Sequence, residues 1–228
     1  SVTAIKTGST ITGTGSIDRI TGGASADTIV WTAGNDVVST GGGNDILKAT
    51  ITLLANQSET TATFDLGSGT GDALTMTDAG TIADADFARI SNVEVLNLGN
   101  GTQTVTLSTN AKAAGVVTVN GGTGVDTITL HDAVTSVVPG AAADVLVVAG
   151  TEAGGLTIDT GTTTDDMTLN LIGFQDAAAD WSTAEVSAVA VDAANEWHFD
   201  TVSGVLTAYN ETEVDGVDIG AVAITLIG

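Results

Sequence analysis

Asp18, Asp27, Asp36 and Asp45 recur at an unbroken interval of nine residues, and an aliphatic follows each two positions later: Ile20, Ile29, Val38 and Leu47. A short fixed period admits few folds, because every repeat must send its apolar residue to one interior and its carboxylate to one rim. Running the interval backwards puts Ile11 and Val2 in the aliphatic phase, with Ser9 where the next carboxylate would stand. The successive repeats read GTGSIDRIT, GGASADTIV, WTAGNDVVS and TGGGNDILK, rich in Gly, Asn and Thr ahead of each Asp. Such residues accept positive φ and build tight turns.

These repeats resemble the GGxGxDxUx nonapeptide of the RTX (repeats-in-toxin) family. The resemblance implies a parallel β-roll that binds calcium through Asp18, Asp27, Asp36 and Asp45 and through turns containing Gly22, Gly41 and Gly43. Ser16 and Ser25 stand where the motif has its second turn glycine. Six residues make a turn and three a strand, so two repeats close one coil and residues 18 apart stack, Asp18 over Asp36 and Asp27 over Asp45. Strands in a stack lie about 4.8 Å apart, where two bare carboxylates repel by roughly 3–4 kcal/mol at an effective dielectric near 20. Calcium accepts 6–8 oxygens in irregular geometry, as two carboxylates plus turn carbonyls supply, whereas magnesium wants a strict octahedron. The competing reading is a metal-free solenoid whose aspartates only cap turns.

Beyond Leu47 the rhythm changes. From Ile51 to Leu66 the glycines stop, and a long Thr-rich strand is expected, ending in FDLGSGTGDALTM. There Asp65 and Asp72 flank a glycine turn and Leu74 takes the inward phase, which fits either a calcium site at Asp72 or a plain hairpin turn. Asp84 is expected to N-cap a short helical turn that carries Phe87 and Ile90 inward, with strands following on either side of Gly99-Asn100-Gly101. A second clock then starts at NGGTGVDTI, with Asp126 and Ile128, Thr135 and Val137, Asp144 and Leu146. Asp126 and Asp144 are again 18 apart, so a second calcium block with Gly121 and Gly124 in its turn is expected, although the turn around Pro139 and Gly140 is degenerate. His131 is expected at the surface and is given no role, since calcium prefers oxygen.

GGLTIDTGTTTDDMTLNLIGF repeats the style of the Asp65–Asp72 segment, with Asp159, Gly161 and Asp166 in matching places. EWHFDTVSGVLTAYN reads as a hairpin, Trp197 and Phe199 on one strand, Ser203-Gly204 at the turn, Val205, Thr207 and Tyr209 on the other. With the closing AVAITLIG strand this resembles the C-terminal module of RTX proteins exported by type I secretion, on Phe199, Asp200, Thr201, Gly204, Leu206, Tyr209, Asp215 and Gly216. The expected fold class is therefore all-β, an RTX parallel β-roll or solenoid continuing into a sandwich-like or solenoid C-terminal part. Its expected divisions are a calcium-binding roll over 1–52, a β-rich middle over 53–150 containing the second block at 117–148, and hairpins over 151–228.

Composition narrows the function. The formal net charge is −23, with 28 acidic residues against 5 basic ones, and Lys6, Arg19, Lys48, Arg89 and Lys112 all lie in the first half. An acidic surface of this kind repels phosphate backbones and anionic lipid, which excludes nucleic-acid binding and direct membrane insertion. A hydrophobic fraction of 43% with only 4% aromatics still supports a folded core rather than disorder. Without cysteine there is no disulfide scaffold, and bound metal is the remaining staple. The weakly polar stretch from Ala133 to Gly150 is interrupted by Pro139 and Asp144 and is no membrane span. The N-terminus, lacking an initiator Met and a signal-peptide pattern, suggests a processed product or an excised domain.

No catalytic constellation stands out. There is no cysteine, no HExxH, no phosphate loop ending in Gly-Lys, and His131 and His198 are the only histidines. Asp159 with Asp165 or Asp166 resembles a hydrolase pair, but a strand-turn unit explains it better, and the expectation is a non-enzyme. The composition, the RTX resemblance and the secretion-like end together resemble the surface-layer (S-layer) proteins of some Gram-negative bacteria. This implies a secreted, cell-surface chain that assembles with itself on calcium binding and takes lipopolysaccharide or surface polysaccharide as a further partner. The alternatives are an RTX adhesin or biofilm-matrix filament subunit, and the secretion domain of a larger enzyme.

Overall fold

The computed structural model describes residues 2–3, 8–56, 62–149, 156–159, 168–172, 197–200, 205–209 and 221–227. Its strands are short because each contributes one interior side chain per coil. In Thr10–Thr12, Arg19–Thr21, Thr28–Val30 and Val37–Ser39 only the middle residue is buried. Successive strands alternate between two parallel sheets, so same-phase aliphatics fall into register. One interior row runs Ile11, Ile29, Leu47, Leu74, Leu96, Val119, Val137 and Ile158, none more than 6% exposed. Rows of this length make one continuous apolar core, the main favourable term in folding.

That row belongs to a central sheet of eleven strands. It is flanked first by an N-terminal sheet of Val2–Thr3, Arg19–Thr21, Val37–Ser39, Thr63–Asp65 and Ile90–Ser91. A C-terminal sheet of Gly80–Ile82, Gln103–Thr106, Thr127–Thr129, Val145–Ala149 and Thr168–Ile172 then takes over the flanking role. The handover needs coils that visit three sides, and the step along the central sheet lengthens accordingly, to 27 residues from Asp45 to Asp72 and 22 from Asp72 to Glu94. Two short helices mark the change. Helix α1 (Ile51–Ala55) packs beside the first strand of the C-terminal sheet, and helix α2 (Thr109–Ala114) beside the last strand of the N-terminal one.

Helix α1 corrects the expectation of a long Thr-rich strand between Ile51 and Leu66. Thr50 accepts the Leu53 N–H at 3.2 Å as N-cap, and Asp78 from the next coil accepts the Ile51 N–H at 2.7 Å. These partners satisfy amides that a strand would have paired in a ladder. The hairpin alternative at Asp65–Asp72 is also corrected: Thr63–Asp65 and Ala73–Met76 lie in different sheets, so the glycine turn is a coil corner. Asp84 opens the 3-10 turn Asp84–Phe87 but caps another element, accepting the N–H groups of Ser108, Asn110 and Ala111 at 2.8–3.1 Å at the start of α2. Phe87 and Ile90 are buried as expected.

The expected hairpin is present. Trp197–Asp200 pairs antiparallel with Val205–Tyr209, and Ala221–Ile227 joins it to the central sheet by pairing parallel with Thr157–Asp159. Thr157–Asp159 and Thr168–Ile172 lie in different sheets, as Thr63–Asp65 and Ala73–Met76 do. Gly161, Asp165, Asp166, Thr201, Ser203, Gly204, Asp215 and Gly216 lie outside the described residues. Among the described residues no helix is long and apolar enough to cross a membrane.

Candidate calcium sites

Each rim aspartate sits just before a strand, and in all but Asp18 one oxygen reaches back to the coil before it. Asp27 Oδ1 accepts the Ser9 N–H at 2.6 Å, Asp45 Oδ1 that of Asp27 at 2.6 Å, and Asp72 Oδ1 that of Asp45 at 2.6 Å. Glu94 Oε2 continues the same ladder by accepting the Asp72 N–H at 2.9 Å. On the opposite rim Asp36 Oδ1 accepts the Asp18 N–H at 2.8 Å. In the second block Asp126 Oδ1 accepts from Gln103 at 2.7 Å and Asp144 Oδ1 from Asp126 at 2.8 Å. The structure thus brings together the pairs Asp18/Asp36, Asp27/Asp45 and Asp126/Asp144 and joins Asp72 to Asp45. Ser9 is the uncharged start of its ladder.

The second carboxylate oxygens divide the set. Asp18 Oδ2 is held by the Thr14 N–H at 2.6 Å and the Thr14 hydroxyl at 2.8 Å, and Asp27 Oδ2 by the Gly23 N–H at 2.8 Å. In contrast, the Oδ2 atoms of Asp36, Asp45, Asp72 and Asp126 are buried and accept no hydrogen bond. An anionic oxygen buried without a partner is costly and asks for a cation. Burial accordingly pushes the Asp126 carboxyl up to about 6, with the Asp144 charge adding to the shift against the Gln103 N–H. Asp36 is raised by burial and by the Asp18 charge, and the nearby Trp31 indole, which pulls the other way, does not reach hydrogen-bond geometry. Asp72 is raised by burial, with the charges of Glu94 and Asp45 adding to it against the Asp45 N–H and the nearby Gly69 N–H, the latter falling short of hydrogen-bond geometry.

The glycines complete the fit. A Cβ on Gly22 would stand 1.9 Å from the Thr40 carbonyl oxygen and 2.8 Å from Asp27 Oδ2, and one on Gly121 would stand 1.8 Å from the Pro139 oxygen. Gly41, with φ +100°, and Gly43, with φ +109°, face the Gly23 oxygen and the Ala26 nitrogen at 2.1 and 2.5 Å, and Gly124 faces the Gly101 oxygen at 2.0 Å. Backbone oxygens therefore crowd beside the carboxylates where any side chain would block them. Among the described residues no three Asp, Glu or His side chains converge, so an ion here takes one or two carboxylates and draws its other oxygens from the turns. That donor set is all oxygen and irregular, which suits calcium.

His131 is buried rather than at the surface. Its Nδ1 accepts the Ala133 N–H at 3.1 Å, and burial pulls its pKa down against the opposing pull of Asp132. It stands apart from the rim carboxylates, beside the one Lys pair of the described residues, Lys112 to Asp132 at 2.6 Å.

Residues 8–30 match the family profile described as RTX calcium-binding nonapeptide repeat (4 copies). Neither the curated proteins nor the solved structures gave a match. Parallel coils, glycine turns and rim aspartates make this part of the chain an RTX β-roll. Its repeats bind Ca2+, and proteins that carry such repeats are typically secreted. Asp36, Asp45, Asp72 and Asp126, each with an oxygen to spare, are the carboxylates best placed to hold the ions, with Asp18, Asp27 and Asp144 on the same rims.

Proposed function

We propose that this chain is an extracellular structural protein that self-assembles into a surface layer when calcium binds. The observation that carries the reading is the central sheet, continuous over eleven strands and bordered by ladders of rim carboxylates with buried, unbonded oxygens. Such a body closes into a rigid rod only when cations occupy its rims. A net charge of −23 keeps copies apart until bound ions lower the repulsion. Copies of the chain are its first partner, and lipopolysaccharide or surface polysaccharide, bridged through calcium, is the second. The role is non-enzymatic, with the acidic residues serving the roll.

A filament or adhesin module uses the same rod as a spacer. The antiparallel pairing of Trp197–Asp200 with Val205–Tyr209 favours a second reading, a type I secretion module at the C-terminal end. Electron microscopy of the chain before and after adding calcium tests these readings. Extended sheets support the surface layer, single fibres support the matrix filament, and folded monomers at high protein concentration sink self-assembly and leave the adhesin or secretion module.

A further inference from the structure

The rim ladder does not end with the nonapeptides. Asp72 and Glu94 lie on coils of 27 and 22 residues, beyond the matched repeats, yet Glu94 makes the same backward contact as each aspartate before it. Only Asn92 and Val93 separate Glu94 from the preceding strand, Ile90–Ser91, and Asn92 has φ +57°. The longer glutamate side chain reaches back from this short corner to the Asp72 N–H at 2.9 Å.

Asp72, the next carboxylate back along the ladder, is fully buried, and its Oδ2 accepts no hydrogen bond. The corner before Asp72 is kept open by Gly69, where a Cβ would lie 2.6 Å from Asp72 Oδ2 and 2.3 Å from the Gly43 oxygen. Among the described residues no Lys or Arg pairs with either carboxylate. Two adjacent carboxylates, one buried with a spare oxygen, thus have no cationic side chain beside them among the described residues. Like charges placed this way are relieved by a proton on one of them or by a cation between them.

We propose that Glu94 is a calcium ligand, and that the step from Asp72 to Glu94 holds a Ca2+ ion outside the nonapeptide repeats. The inference rests on the reading of the rims as calcium-binding and extends it to a coil with no RTX motif.

Calcium titration of the full chain by calorimetry and equilibrium dialysis, with Glu94→Gln beside the unsubstituted protein, tests it. Gln keeps an oxygen to accept the Asp72 N–H and removes only the charge. The expected result is one bound ion fewer, or one site weakened at least tenfold, with the other sites unchanged. The circular dichroism spectrum in saturating calcium should match that of the unsubstituted chain. If Glu94 serves only as a backbone cap, number and affinity stay the same and the proposal is overturned. Should Glu94→Gln fail to reach the folded spectrum, Glu94→Asp decides: the retained charge keeps the ion, the shorter reach weakens it severalfold, and an unchanged affinity overturns the proposal. If the unsubstituted chain binds no calcium, the rim reading falls and this proposal with it, a result distinct from equal binding by both proteins.

Discussion

The backbone N–H of Asp27 donates to Asp45 Oδ1 at 2.6 Å, so that in this stacked pair one carboxylate closes the backbone of the coil behind it. The stack is therefore not a bare repulsion. One oxygen is satisfied by an amide, which is worth about 1.5–3 kcal/mol when the acceptor is charged, and the other, Asp45 Oδ2, is left buried for an ion.

Folding should accordingly follow calcium. In excess chelator the far-UV circular dichroism of the chain is expected to lose most of its β signal, and added calcium should restore it cooperatively. Trp31, buried against Phe64 with ring centroids 4.2 Å apart, supplies a second probe, its emission shifting to shorter wavelength as the coils close. A β spectrum indifferent to chelator would count against calcium closure.

The rim positions should differ in weight. Asp36 has a buried spare oxygen, whereas both Asp18 contacts at Oδ2 come from Thr14 near the surface. Asp36→Ala is expected to weaken calcium binding about tenfold or more, the loss of one charged ligand bond, with Asp27→Ala close behind because its Oδ1 holds the Ser9 amide. Asp18→Ala should cost less than either. Equal losses in calorimetry would mean that the N-terminal coils carry as much of the ion as the inner ones.

Turn glycines should resist even the smallest side chain. In Gly124→Ala the new methyl would meet the Gly101 oxygen at 2.0 Å, a backbone clash that no rotamer relieves. Thermal denaturation in saturating calcium should show a loss of roughly 3 kcal/mol or more. Gly15→Ala, with nothing within 4 Å of its Cβ position, should change stability by less than about 0.5 kcal/mol.

Asp126 predicts a pH response. Its folded-state pKa of about 6 lies above the ordinary 3.8, so the folded form holds the proton more tightly than the unfolded one. The stabilisation from that proton is complete below 3.8 and is lost as pH rises through about 6. In limiting calcium, moving from pH 7 to pH 5 should therefore favour the folded second block, by about 1 kcal/mol at most once solvent screening is allowed for. Calcium affinity should fall over the same interval, because proton and ion compete for one carboxylate. Asp126→Asn is expected to flatten the stability response, and an unchanged response in that variant would place the titrating group elsewhere.

Much of this was legible because the repeat is local. A nine-residue period fixes the inward phase of Ile20, Ile29, Val38 and Leu47 and the stacking of Asp18 on Asp36, whatever the rest of the chain does. What escaped is set by partners far along the sequence. Helix α1 forms where Asp78, 27 residues on, accepts the Ile51 amide, and Asp84 is spent on α2, 24–27 residues away, rather than on its own turn. His131 is buried, which no local pattern announces. Glu94 did carry a signal: it stands two residues before inward Leu96, as Asp72 stands before Leu74 and Asp126 before Ile128. The missing glycine turn hid it.

The two short helices have a consequence for how copies of this chain can meet. Each flanking sheet has an end strand in the middle of the body, where an open row of amides and carbonyls would accept a strand from another molecule. Ile51 of α1 stands against Gly80 on the first such strand, its Cδ1 3.3 Å from the glycine's Cβ position. Ala114 of α2 takes the Val93 N–H at 3.0 Å just past the second, Ile90–Ser91. With a helix beside each of these ends, an incoming strand would have to displace it first, and on the assembly proposed above this would disfavour branching at the waist.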